Sequence, residues 1–99
     1  MKTILVIYTN SKITNNKDIC KAKKYSFNTD SNVEVGDMIK SLEYDTSMQI
    51  VNVLDKSYKY FNTFSGELSD EFNSTSQWYI RTIQIVENSG DIIMAHKIN

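Results

Sequence analysis

Short alternating runs of apolar and polar residues, separated by breaks rich in Asn, Asp and Ser, run along the chain and predict β-strands. The firmest pattern spans residues 33–62, which reads as three consecutive antiparallel strands. Val33-Glu34-Val35 leads into Gly36-Asp37, where the glycine supplies a positive-φ position or a close backbone approach, and Met38 to Ser41 follows as a short strand. Met48 to Leu54 is apolar on both parities, with Met48, Ile50 and Leu54 on one face and Val51 and Val53 on the other. Asp55-Lys56 reads as a hairpin turn that returns the chain through Tyr58, Tyr60 and Phe61.

The remaining segments fill in around this meander. Residues 2–9 predict a central strand covered on both faces, because Ile4 to Tyr8 are β-formers on both parities. Asn15 or Asn16 is placed to cap one helical turn through Cys20, and alternation returns at residues 23–27 with Tyr25 and Phe27 inward. Residues 62–76 form the longest irregular connection, with a turn at Ser65-Gly66 and one helical turn near Ser69–Phe72. Gln77 to Glu87 reads as one strand bulged near Arg81-Thr82, and residues 88–90 turn the chain into a last strand over residues 91–98. The expected fold is all-β: a small curled or partly open barrel of about five to seven antiparallel strands, with one or two short helical turns.

Ninety-nine residues make one domain, with an N-terminal strand, a Lys-rich loop and a second strand in residues 1–29, and the meander and C-terminal hairpin in residues 30–99. Ten Asn, eleven Ser and eight Thr, against three Gly and no Pro, assign the turns to Asn, Asp and Ser. The apolar run at the N-terminus stops after five residues without a small-residue cleavage site, so it reads as a strand rather than a secretion signal. No run approaches the ~20 apolar residues of a membrane span. Cys20 is the single cysteine, which excludes an intrachain disulfide and makes the cytoplasm the expected compartment.

The net charge of −1 conceals segregation: residues 1–29 carry +5, residues 30–55 carry −5 and the rest −1. Either the two segments lie side by side and offset one another, or they form opposite-signed faces, one of which steers a partner.

The segment Val33-x-Val35-Gly36-Asp37-Met38-Ile39, followed by Met48 to Leu54, resembles the opening strands of SH3-like barrels, in which an apolar-x-x-Gly-Asp segment enters the first strand. The likeness covers residues 33–62, with residues 77–98 able to supply two further strands. Ten Lys to one Arg and a predominance of Ile are typical of AT-rich genomes, and the whole chain resembles short proteins of low-GC Gram-positive phages and mobile elements. That resemblance implies binding to a host protein, as in inhibitors of host defence nucleases such as anti-CRISPR proteins. It implies no particular site residue.

Candidate chemistry is sparse. A Cys-His pair has to combine Cys20 with His96 from opposite ends of the chain, and Asp30, Glu34 and Asp37 lack the loop spacing of a calcium site, so no catalysis, metal or cofactor is expected. Eleven aromatic residues exceed what a small core has to hide, and those left outside are expected to anchor a protein partner. The candidates are Tyr44, Phe64, Phe72 and Tyr79, with Asp45, Glu67, Asp70 and Glu71 facing a basic surface such as the channel of a nuclease complex. Self-association into a homodimer through an exposed strand edge is a further expectation. The alternative is nucleic-acid binding: Lys21, Lys23 and Lys24 stand beside Tyr25 and Phe27, and Lys56 and Lys59 among Tyr58, Tyr60 and Phe61, interleaving charge with stacking surfaces.

Overall fold

The apolar N-terminal run folds as β1 (Lys2–Tyr8), an interior strand between β2 (Tyr25–Thr29) and β4 (Ser47–Leu54). The computed structural model describes residues 1–41, 46–88 and 91–96. Between β1 and β2 lies α1 (Asn16–Lys21), which starts where the Asn15 side chain accepts the Lys17 N–H at 2.8 Å. Four strands run antiparallel in the order β2-β1-β4-β3, with β3 spanning Met38–Ser41. The hairpin of β8 (Ile83–Asn88) and β9 (Asp91–His96) extends this sheet, β9 lying parallel to β3. A second, three-stranded sheet holds β5 (Tyr60–Asn62) between β6 (Leu68–Ser69) and β7 (Gln77–Tyr79).

The core lies on one face of the larger sheet, where Ile4, Val6, Phe27, Ile39, Met48, Ile50 and Ile83 pack together with Val33 and Ile85. A bulge in the β1–β4 ladder sets which β4 residues join them. Val6 faces Ile50 whereas Leu5 faces Asn52, so Val51 is the extra residue and the parity flips. Val53, rather than the expected Leu54, therefore packs against the core with Met48 and Ile50.

Residues 33–35 lead into β3 through a turn: the Asp37 carboxylate accepts the Glu34 N–H at 2.8 Å and the Asp37 N–H returns to the Glu34 carbonyl, leaving Val35 exposed. The chain is mostly β with one short helix, and its order departs from expectation in three places. Asp55-Lys56 is not a hairpin turn. Both edges of β4 are already taken by β1 and β3, so the chain leaves that sheet and β5 begins another. Gln77 to Glu87 is not one bulged strand but β7 and β8, in different sheets, with Ile80 to Thr82 crossing between them. The helical turn near Ser69–Phe72 is instead β6 followed by a bend in which Ser69 Oγ accepts the Glu71 N–H at 3.0 Å.

No closed or curled barrel forms among the described residues, and β9 pairs with β3 in parallel where all-antiparallel pairing was expected. Among the described residues, β2 meets the residue just before β8 at an isolated bridge, Asn28 to Thr82, where the Asn28 N–H donates to the Arg81 carbonyl at 2.8 Å, and no ladder grows from it. Closure lacks strands because β5, β6 and β7 pair with one another.

Three buried polar side chains tie the irregular segments down. Gln49 clamps the loop before α1, accepting the Ile13 N–H at 2.7 Å and donating to the Ile13 carbonyl at 2.8 Å. Asn28 donates to the Tyr58 carbonyl at 2.8 Å and accepts the Thr3 hydroxyl at 2.6 Å, while Thr3 Oγ1 accepts the Tyr58 N–H at 2.9 Å. This ring of three bonds fastens the linker between the sheets to β1 and β2. Gln77 accepts the Asn73 and Ser74 N–H groups at 2.7 and 3.1 Å and donates to the Glu71 carbonyl at 3.2 Å. Each amide satisfies backbone groups that no ladder reaches.

A candidate binding groove between the two sheets

An open groove of about 640 Å³ separates β2 from the smaller sheet, a size typical of ligand sites. One wall comes from the larger sheet: Tyr8 at the end of β1, Lys23 just before β2, and Tyr25, Ser26 and Phe27 in β2. Tyr8 and Tyr25 meet edge to face at 4.7 Å. Lys23 Nζ lies 5.3 Å from the Tyr25 ring centre, and the Arg81 guanidinium 5.9 Å from that of Phe27, so both cations are held over ring faces.

The other wall is built by two local devices. At the β5–β6 turn the Asn62 carboxamide oxygen accepts the Phe64 and Ser65 N–H groups at 2.9 and 3.1 Å, and Gly66 at φ +74° bonds back to the Asn62 carbonyl. That turn carries Phe64 at its tip, 88% exposed. The second device is the register of β5 and β7, which sets Phe61 opposite Trp78 and Tyr60 opposite Tyr79. Because β7 pairs only with β5, its side chains stand at a sheet edge, and Trp78 and Tyr79 remain about two-thirds exposed, at 68% and 70%. Thr63, Thr75 and Ser76 complete the lining with hydroxyl groups. Among the described residues, seven aromatic residues, two cations and four small hydroxyl residues line the groove, and no carboxylate or amide side chain does.

Of the residues expected to bind a protein, Tyr44 and Asp45 lie outside the described residues. Phe64 and Tyr79 line the groove. Glu67, Asp70, Glu71 and Phe72 are exposed on and beside β6, where Phe72 meets Tyr60 at 5.6 Å and Tyr60 meets Tyr79 at 6.1 Å. Of the five lysines expected to contact nucleic acid, Lys23 alone lines the groove. Lys24 turns its ammonium onto the carbonyls at the end of α1, those of Ile19, Cys20 and Ala22. Lys56 pairs with Asp70 at 2.6 Å and lies over the Tyr58 ring. Hydrogen bonding to Lys56 holds the Asp70 carboxyl below the usual carboxylate range, and the same bond raises Lys56. Lys21 is exposed in the last turn of α1, and Lys59 in the linker before β5.

Sequence reasoning missed Trp78 and Arg81. Their signal was the run Gln77-Trp78-Tyr79-Ile80-Arg81: two adjacent large aromatics in a strand point to opposite faces, so one of them faces away from any single core. Cys20 is exposed, and the backbone sets His96 opposite Ile83 at the end of β9. Among the described residues, no group of three or more His, Cys, Asp or Glu can hold a metal ion, and no helix is long and apolar enough to cross a membrane. No protein-family model matches the chain, and neither a curated protein nor a solved structure does.

Proposed function

We propose that the chain is a non-enzymatic binding module that captures its partner in the groove between the two sheets. One observation carries this reading: Phe64 and Trp78 stand exposed around one depression in which, among the described residues, the charged side chains are the cations Lys23 and Arg81. Large exposed aromatics grouped at one site are the usual anchors of recognition surfaces. The test is recovery of partners from a cell lysate, with and without nuclease, by the immobilised chain and by a Phe64→Ser, Trp78→Ser double variant. The wild-type chain and a control variant, Val35→Ser, retain the partner, and the double variant loses it. Equal recovery by all three chains counts against the groove.

A second reading rests on the outer surface of the smaller sheet. Tyr60 meets Phe72 and Tyr79 there, and the exposed segment that carries Phe72 also carries Glu67, Asp70 and Glu71, a mixture suited to a basic protein surface such as that of a host nuclease complex. Under this reading Phe72→Ala removes a protein partner whose capture survives nuclease, while the groove variant keeps it.

A further inference from the structure

We infer that the groove binds single-stranded nucleic acid, with bases stacked on Trp78 and Phe64 and phosphates held by Lys23 and Arg81. This rests on the groove being the binding site. The lining complements the repeat unit of the ligand. A single strand offers a flat ring and an anion at every step, and the groove offers exposed flat rings beside two cations. No carboxylate among the described residues lines it to repel a phosphate.

The same lining argues against other ligands. A neutral glycan also stacks on aromatic rings, but the described residues bring no carboxylate or amide side chain into the groove to grip paired sugar hydroxyls. A duplex hides its base faces and is held by many phosphate contacts, about 6–10 in strongly salt-dependent binders. Two cations on a chain of net charge −1 do not supply them. An acidic peptide carries the anions but seldom a planar ring at each repeat.

Trp78 is the only tryptophan, so its fluorescence reports on the groove alone. The experiment titrates the full chain at low salt with oligothymidylate of about twelve nucleotides, with the matching duplex, and with a peptide of alternating Glu and Tyr. Saturable quenching by the single strand is expected, weaker for the duplex. The slope of log affinity against log salt is about −1.4 for two phosphate contacts. Arg81→Gln brings the slope to about −0.7, Arg81→Lys restores it, and Phe64→Ala weakens binding about tenfold with Trp78 still in place. Unchanged Trp78 fluorescence with the oligonucleotide, or duplex binding as tight as single-strand binding, overturns the inference. If the peptide quenches and the oligonucleotide does not, the groove stands and its nucleic-acid ligand falls. If neither does, both fall.

Discussion

Gly36 enters the turn before β3 at φ +98°, and its N–H donates to the Ile50 carbonyl at 2.8 Å, so a strained residue there pulls on the β4 ladder. A Cβ added at this position meets Lys12 Nζ at 3.1 Å, the movable end of a side chain, so the backbone rather than the contact sets the cost. Gly36→Val is expected to lower stability by about 1–3 kcal/mol, read as a shift of the urea midpoint at constant m. Gly66→Ala at φ +74° meets no atom within 4 Å and acts outside the larger sheet, so it costs less. An unmoved midpoint for Gly36→Val sinks this account of the turn. The Lys56–Asp70 pair makes a separate prediction. Asp70 is lowered, so its contribution is present above the unfolded carboxyl pKa and fades as pH falls through the lower folded value, below about pH 4. Lys56 is raised, so its contribution is present below the unfolded amine pKa and is lost as pH rises through the higher folded value, above about pH 10. Both groups are exposed and screened, so the effect on stability is small. The sensitive readout is the carbon chemical shift of the Asp70 carboxyl: its midpoint rises toward the ordinary carboxylate value in Lys56→Met.

At the scale of elements, side-chain amides do what hairpin turns do elsewhere. Gln77 is the clearest instance, because its carboxamide holds three backbone groups of the bend between β6 and β7. Gln77→Ala leaves those groups without their partner, and a destabilisation of about 1–3 kcal/mol is expected. Hydrogen exchange should speed up at the Asn73 and Ser74 amides first; equal protection in variant and wild type contradicts the assignment. Elements whose signal is local were legible in the chain: β1 from its unbroken apolar run, α1 from its Asn cap, β4 from its β-branched residues. Pairings were not. Whether Tyr60 to Asn62 returns alongside β4 depends on β1 and β3 having occupied both of its edges, and neither edge is visible within residues 48–62. The split of β7 from β8 was hidden for the same reason, since a chain crossing between sheets and a bulge both appear as a change of parity.

For the whole molecule, the ring of bonds among Thr3, Asn28 and the Tyr58 backbone joins two sheets that share no ladder. In the wild-type chain, Trp78 fluorescence, which reports the smaller sheet, and far-ultraviolet dichroism, dominated by the larger one, should trace a single unfolding transition. In Asn28→Ala the fluorescence transition should move to lower denaturant; coincident curves in that variant rule out the ring as the tie. The groove, too, was only half legible. Lys23 and Phe64 were candidates from the chain alone and Trp78 and Arg81 were not, and assembling the four into one depression requires the second sheet, which no local pattern announces. The parallel pairing of β3 with β9 carries a consequence in time. Ile39 pairs with Ile92, so during synthesis β3 emerges long before the strand that covers its outer edge. Until then its unpaired N–H and C=O groups can template another strand. High contact order makes closure of that edge slow, and the hazard for this chain lies in the interval between translating β3 and translating β9.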